Sequence, residues 1–143
     1  MPDRPLDKTA RDLDGIHVLL VEDTDDSRQV LRLTLQSCGA VVTSVATAKE
    51  AESLLWELRP HVLVTAINMP DDEVTQIRAV RAMSAAHGIH VPTIAITAAR
   101  GRRAELLAEG FVEVLEKPLD PIEVCRTIRQ HLPKPLREAA ARD

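Results

Sequence analysis

Short apolar runs alternate with amphipathic segments along most of the chain. The runs that predict strands are His17–Val21, Val41–Val45, Val62–Ala66, Thr93–Thr97 and Val112–Leu115. Four of them are almost continuously hydrophobic, as expected for strands in a parallel sheet that is covered on both faces. Strands that alternate with helices require right-handed crossovers. The pattern therefore predicts an α/β fold with a doubly wound, five-stranded parallel sheet.

Five helices are predicted after the five strands, and local signals mark the start of two of them. Thr47 and Glu50 have the spacing of a capping box at the start of the second helix. Asp120 precedes a proline and is the predicted N-cap of the fifth helix. The third and fourth helices are predicted over residues 73–86 and 102–109.

The length and composition predict one soluble domain. The chain has 143 residues, of which 45% are hydrophobic, and its net charge of −4 argues against nonspecific binding to nucleic acids. We expect a polar, flexible arm over residues 1–14, the domain over 15–132 and a tail over 133–143. The chain lacks an apolar run of about 18 residues and an N-terminal apolar signal segment, so the expected location is cytoplasmic.

The two cysteines, Cys38 and Cys125, lie far apart in the sequence and match no metal-binding spacing. A free cysteine behaves as a small hydrophobic residue. We therefore expect both to be reduced thiols in the core.

The residues at the carboxyl ends of the predicted strands are the candidates for a functional site. Glu22 and Asp23 follow the first strand, Ala66 ends the third, Thr97 ends the fourth and Lys117 follows the fifth. The carboxyl ends of parallel strands share one edge of the sheet, so these residues are expected to meet there. An acidic pair alone is a weak signal, but the whole set in this order is specific.

The segments HVLLVEDTDD, VLVTAINMP, TIAITA and LEKP resemble the receiver domain of bacterial response regulators over roughly residues 15–132. The resemblance implies a flavodoxin-like strand order of 2-1-3-4-5 and a cis bond before Pro118. It also implies that Glu22, Asp23 and the backbone carbonyl of Asn68 are the ligands of Mg²⁺. Receivers are signalling modules rather than enzymes, and histidine kinases or other signalling proteins are the implied partners.

The same resemblance assigns Ala66 to the position of the phosphoacceptor aspartate. It makes Thr97 the hydroxyl and Lys117 the ammonium that bind phosphoryl oxygens. A methyl group neither accepts a phosphoryl group nor binds a cation, so we expect no tightly bound cofactor and weak or absent Mg²⁺ binding. Two further departures accompany Ala66. The usual Asp-Gly after the Met-Pro turn is missing, and Val114 occupies the position of the switch aromatic.

Three functions remain open from the sequence. The first is a pseudo-receiver that signals by protein–protein contact, as a monomer or as a weak homodimer through the face of helix four, strand five and helix five. The second is an ordinary phosphoryl-accepting receiver whose aspartate was deliberately replaced at position 66. The third and remote one is a flavodoxin-like redox protein, although the acidic loop after strand one would repel a flavin phosphate.

Simpler roles also exist for the individual site residues. Glu22 and Asp23 can be acids that favour the start of a helix, and Thr97 can be a structural hydroxyl. Lys117 can be an ion-pair partner alone. The cluster Arg100, Arg102 and Arg103 is either a solvated helix start or a docking patch.

Overall fold

The five strands form one parallel sheet in the order β2-β1-β3-β4-β5, which confirms the predicted fold class and strand order. A computed structural model describes residues 12–67, 75, 77, 78, 81, 82, 85, 86, 88, 90–134 and 136. The strands are β1 His17–Val21, β2 Val41–Val45, β3 Val62–Ile67, β4 Thr93–Thr97 and β5 Glu113–Glu116. All of them lie within one residue of the predicted bounds.

Helices cover both faces of this sheet. The helices with described bounds are α1 Asp25–Gln36, α2 Ala48–Leu58, α3 Arg103–Ala108 and α4 Pro121–Gln130. Between β3 and β4 the described residues Thr75, Ile77, Arg78, Arg81, Ala82, Ala85 and Ala86 are helical, in agreement with the helix predicted over 73–86. The other residues of the predicted span, the Met-Pro turn and Asn68 lie outside the described residues.

The two faces of β3 pack into two separate hydrophobic clusters. Val62, Val64 and Ala66 belong to the cluster that contains buried residues of α1 and α4. Leu63 and Ile67 belong to the cluster that contains buried residues of α2 and α3. All six residues of β3 are buried, as expected for a central strand with both faces covered.

The predicted helix starts are confirmed by their caps. The Thr47 side chain accepts a hydrogen bond from the Glu50 N–H, and the Glu50 carboxylate accepts one from the Thr47 N–H. Asp120 caps α4 by accepting from the Ile122 N–H at 3.0 Å. The peptide bond between Lys117 and Pro118 is cis, as the resemblance implies.

The domain extends further toward the N-terminus than expected. Leu13, which the sequence analysis placed in a flexible arm, is fully buried in the core. Its backbone N–H donates to the Cys38 carbonyl at 2.9 Å. Residues 12–14 are therefore part of the packed structure. Burial of the apolar Leu13 side chain contributes to the stability of the fold.

The expectation of two reduced thiols is wrong for this structure. Cys38 and Cys125 form a disulfide, with Cα atoms 6.0 Å apart and a sequence separation of 87. Cys38 follows the end of α1 and Cys125 lies within α4, and both belong to the cluster on the same face of the sheet. Spacing along the chain could not indicate this proximity, because the fold brings the first and last helices together.

The capping box of α2 allows a controlled test of local stability. We expect Thr47→Ala to lower the free energy of unfolding by about 1 kcal/mol, because the Glu50 N–H loses its acceptor. Thr24→Ala is the matched control, since Thr24 is the N-cap of α1 but makes no side-chain capping bond. Urea unfolding of both variants measures the difference. Equal losses at the two positions would contradict a specific role for the Thr47 hydroxyl.

Candidate functional site

The strand ends place the predicted site residues along one edge of the sheet. Glu22 directly follows β1, Thr97 is the last residue of β4 and Lys117 directly follows β5. Ala66 is the penultimate residue of β3 and pairs with Ile96. Parallel pairing therefore brings all four strand ends to the same side, as the sequence predicted.

Glu22 is the central charged group of this edge and has no solvent-exposed surface. Its Oε2 accepts a hydrogen bond from the Thr24 N–H at 2.9 Å, and its Oε1 lies 4.0 Å from the Lys117 Nζ. Its backbone carbonyl accepts from the Arg28 guanidinium at 2.9 Å. The burial of Glu22 favours a pocket role over the alternative of a solvated acid at a helix start, because buried carboxylates need such partners.

The role of Arg28 was missed by the sequence analysis. Arg28 binds the Glu22 carbonyl and also pairs with Asp25 at 2.5 Å, so it links the start of α1 to the pocket. The sequence carries one signal for it, since a spacing of three residues places Asp25 and Arg28 on one helix face. Nothing in the sequence indicated the second contact, which depends on how the chain turns after β1.

Thr97 and Lys117 are tied together through the backbone. The Lys117 N–H donates to the Thr97 carbonyl at 2.9 Å. The Thr97 hydroxyl is buried and accepts a hydrogen bond from the Ala99 N–H at 3.0 Å. In this structure the hydroxyl therefore stabilises the turn after β4, which corresponds to its simpler predicted role.

Ala66 is fully buried and lies in the apolar cluster with Leu20, Ile96 and Leu115. Its methyl group offers the pocket neither a nucleophile nor a ligand. Among the residues that the structure describes, the buried Glu22 and the exposed Asp23 follow β1, and Glu116 ends β5 and accepts a hydrogen bond from the Gly101 N–H at 3.4 Å. This edge of the sheet thus carries the Thr97 hydroxyl and the Lys117 ammonium, but β3 ends without a carboxylate.

Val114, at the position of the switch aromatic, is buried in the cluster around Phe111 and Leu106. Its carbonyl accepts from Arg103 at 3.2 Å, and its N–H donates to the Glu113 carboxylate at 2.9 Å. Arg103 also forms an ion pair with Glu113. Burial raises the pKa of Glu113, but the bonds from Arg103, Val114 and His131 outweigh it and hold that pKa below its ordinary value.

A model of the response regulator receiver domain matches residues 18–129 of the chain. The chain belongs to the receiver-domain family. Its relatives include an uncharacterized 14.6 kDa protein in the sodA1 3′ region of Leptolyngbya boryana, 41% identical over 117 residues that cover 80% of this chain and 88% of the relative. The virulence transcriptional regulatory protein PhoP of Salmonella choleraesuis is 30% identical over 76% of this chain. The receiver spans about half of that protein, since the match covers 48% of its length.

Solved structures agree with this assignment. The chemotaxis protein CheY4 of Vibrio cholerae has a TM-score of 0.69 and 28% identity, and the match covers 82% of this chain and 98% of CheY4. The D1050A mutant of the receiver domain of the histidine kinase CKI1 from Arabidopsis thaliana has a TM-score of 0.72 and 24% identity, and the match covers 91% of this chain and 97% of that chain. The second likeness shows the fold alone. Within the described part of the receiver, no helix is long and apolar enough to cross a membrane.

The described residues offer few oxygen ligands for the Mg²⁺ that the family implies. No group of three or more His, Cys, Asp or Glu side chains with metal-binding geometry occurs among them. Glu22 already accepts from the Thr24 N–H and faces Lys117, and Ala66 supplies no oxygen. Asn68, the third predicted ligand, lies outside the described residues. Mg²⁺ takes one or two protein carboxylates beside its waters, and position 66 supplies none of them here.

The pair of Glu22 and Lys117 gives a test of the pocket. We expect Lys117→Met to destabilise the domain by about 1 kcal/mol, because the fully buried Glu22 loses a cation 4.0 Å away. In a Glu22→Gln background the same substitution should cost markedly less, since no buried charge remains. Double-mutant cycles by urea unfolding measure this coupling. Lys49→Met, at an exposed site on α2, is the control and should change little. A coupling of zero would show that the two charges do not stabilise each other.

Proposed function

We propose that this receiver is a pseudo-receiver, a signalling module that acts by binding other proteins and does not accept a phosphoryl group. Receiver domains interact with histidine kinases and other signalling proteins, and this chain keeps the frame for such contacts. The observation that carries the proposal is Ala66, a buried methyl group at the strand end where the family has its acceptor aspartate.

The chemistry supports this proposal. Phosphoryl transfer to a receiver requires an attacking oxygen, and a cation must spread the charge that develops on the phosphoryl oxygens. Removing the carboxylate at position 66 removes the attacking atom and one ligand of the cation together. Thr65 does not replace it, because neighbouring residues of a strand point to opposite faces. Its side chain therefore points away from the face that carries Ala66.

The retained charges support a static pocket. In a phosphorylatable receiver the lysine faces a set of carboxylates and, after transfer, a phosphoryl group. Here the Lys117 ammonium lies 4.0 Å from the Glu22 carboxylate. Val114 replaces the aromatic whose rotamer changes on activation and is fixed in the core by its backbone bonds to Arg103 and Glu113. The domain is therefore suited to present one constant surface.

A surface groove beside the pocket supports binding as the output. The groove has a volume of about 640 Å³ and lies between α1 and the loop from β5 to α4. It is lined by apolar residues of α1 such as Val30, which is 62% exposed, and by Lys117 and Leu119. Exposed apolar surface of this kind marks interaction sites. Lys117 lines the groove and also pairs with Glu22, so it connects the pocket to the surface.

The proposal predicts a clear result with a small-molecule phosphodonor. Incubation with acetyl phosphate and Mg²⁺, followed by intact-mass measurement, should leave the wild-type mass unchanged. Ala66→Asp should gain the mass of one phosphoryl group, because it restores the nucleophile beside the retained Thr97 and Lys117.

Ala66→Asn is the matched control for that experiment. It has nearly the size and polarity of aspartate but no nucleophilic carboxylate, so its mass should not change. Stable, stoichiometric phosphate on the wild-type chain would refute the pseudo-receiver. A failure of folded Ala66→Asp to gain mass would show that more than the acceptor has been lost from the pocket.

Mg²⁺ binding should follow the same pattern. We expect wild-type protein to show no saturation below about 1 mM Mg²⁺ in an NMR titration, because the pocket lacks the carboxylate at position 66. Ala66→Asp should bind more tightly, with shifts at Glu22 and Asp23. The CKI1 receiver has been solved in complex with Mg²⁺ and BeF₃⁻, which makes BeF₃⁻ a useful second probe for the restored variant. Saturation of the wild-type chain at micromolar Mg²⁺ would contradict the expectation.

A further inference from the structure

We propose that Cys38 and Cys125 form a reversible redox site that fastens the first helix of the domain to the last. The Cα separation of 6.0 Å lies within the range that a disulfide spans without backbone movement. These are the only two cysteines of the chain, and the fold brings them together across 87 residues of sequence. This inference does not depend on whether the receiver accepts a phosphoryl group.

The two positions are anchored in the core on either side of the bond. Cys38 follows α1, and its backbone carbonyl accepts from the Leu13 N–H at 2.9 Å. Cys125 lies on α4 beside Val124, one turn before Ile128, and all three are buried. The disulfide therefore joins two elements that already pack against the same face of the sheet, and its formation does not require them to rearrange.

The dithiol form fits the same core. A thiol behaves as a small hydrophobic group, so reduction places no charge in the apolar cluster. The Cys38 sulfur lies 3.4 Å from the Thr34 carbonyl oxygen, which can accept the weak S–H donor once the bond is reduced. Both redox states are therefore compatible with these apolar surroundings, and both are expected to be folded.

Exchange with a small disulfide such as oxidised glutathione accounts for every atom and electron. One cysteine thiolate attacks a glutathione sulfur, forms a mixed disulfide and expels a glutathione thiolate. The second cysteine thiolate then attacks the protein sulfur and expels the second glutathione thiolate. The net change converts two protein thiols and one glutathione disulfide into one protein disulfide and two glutathione thiols. Two electrons pass from the cysteines to glutathione, and the two expelled thiolates take up the protons that the cysteines release.

Burial makes this exchange slow in the folded domain. Both cysteines have no exposed surface, so a reagent reaches them only after α4 or the end of α1 opens. The site is therefore suited to a sustained change of redox conditions rather than to a brief pulse. The bond also restrains α1, which lines one side of the groove that contains Val30 and Leu119.

A glutathione titration of the full chain tests the proposal. Samples are equilibrated at glutathione ratios from fully reduced to fully oxidised. They are then denatured in the presence of N-ethylmaleimide, and the adducts are counted by intact-mass measurement. The expected result is a change from two adducts to none as the oxidised share rises, which reverses when the ratio is reversed. Far-UV circular dichroism should match at both ends, while the melting temperature of the oxidised form should be higher by roughly 10 °C or more.

The control variant is Cys125→Ala, whose melting temperature should not depend on the glutathione ratio. A rate comparison completes the test: dithiothreitol should reduce the native disulfide at least about tenfold more slowly than the disulfide in urea. Two adducts at every ratio, a native bond that full reduction never opens, or loss of the fold on reduction would each overturn the proposal. The wild-type titration does not depend on the variant, so it tests the proposal even if Cys125→Ala does not fold.

Discussion

A parallel sheet that is covered on both faces is the constraint from which the rest of this molecule follows. Every residue of β3 and β4 is buried, so these strands offer polar groups to solvent only beyond their ends. The parallel direction then places the ends of β1, β3, β4 and β5 at one edge. Chemistry in this fold is therefore concentrated where Glu22, Thr97 and Lys117 lie, whatever the loops around them contain.

At that edge the loss of one carboxylate changes the electrostatics more than it changes the packing. Ala66 fits among Leu20, Ile96 and Leu115 without a polar atom that needs a partner. The buried Glu22 still has Lys117 and the Thr24 N–H as partners, so the remaining charges are stabilised within the domain. An apolar residue at the acceptor position thus yields a stable receiver, because the pocket no longer holds an excess of carboxylates that only a cation could balance.

Most of the fold was readable from the sequence, because each strand is a short apolar run and the starts of α2 and α4 carry explicit caps. The set of residues at the strand ends was also readable, since it depends only on where strands stop. The contacts between them were not. The second contact of Arg28, the complete burial of Glu22 and the turn bond of the Thr97 hydroxyl depend on loop geometry. The Cys38–Cys125 bond and the burial of Leu13 depend on which distant elements meet, and a single sequence does not encode that as a local pattern.

In the proposed pseudo-receiver, Lys117 links the buried pocket to the surface on which a partner would bind. Its ammonium lies near Glu22 in the pocket, its backbone holds Thr97, and its side chain lines the groove beside α1. A partner bound in the groove therefore contacts Lys117, whose ammonium also lies near the buried Glu22. Coupling of this kind is reciprocal. If a partner in the groove favours one arrangement of the pocket, that arrangement strengthens binding of the partner by the same coupling free energy. In the proposed pseudo-receiver the pocket gains no phosphoryl group, so phosphorylation leaves the affinity of the groove unchanged.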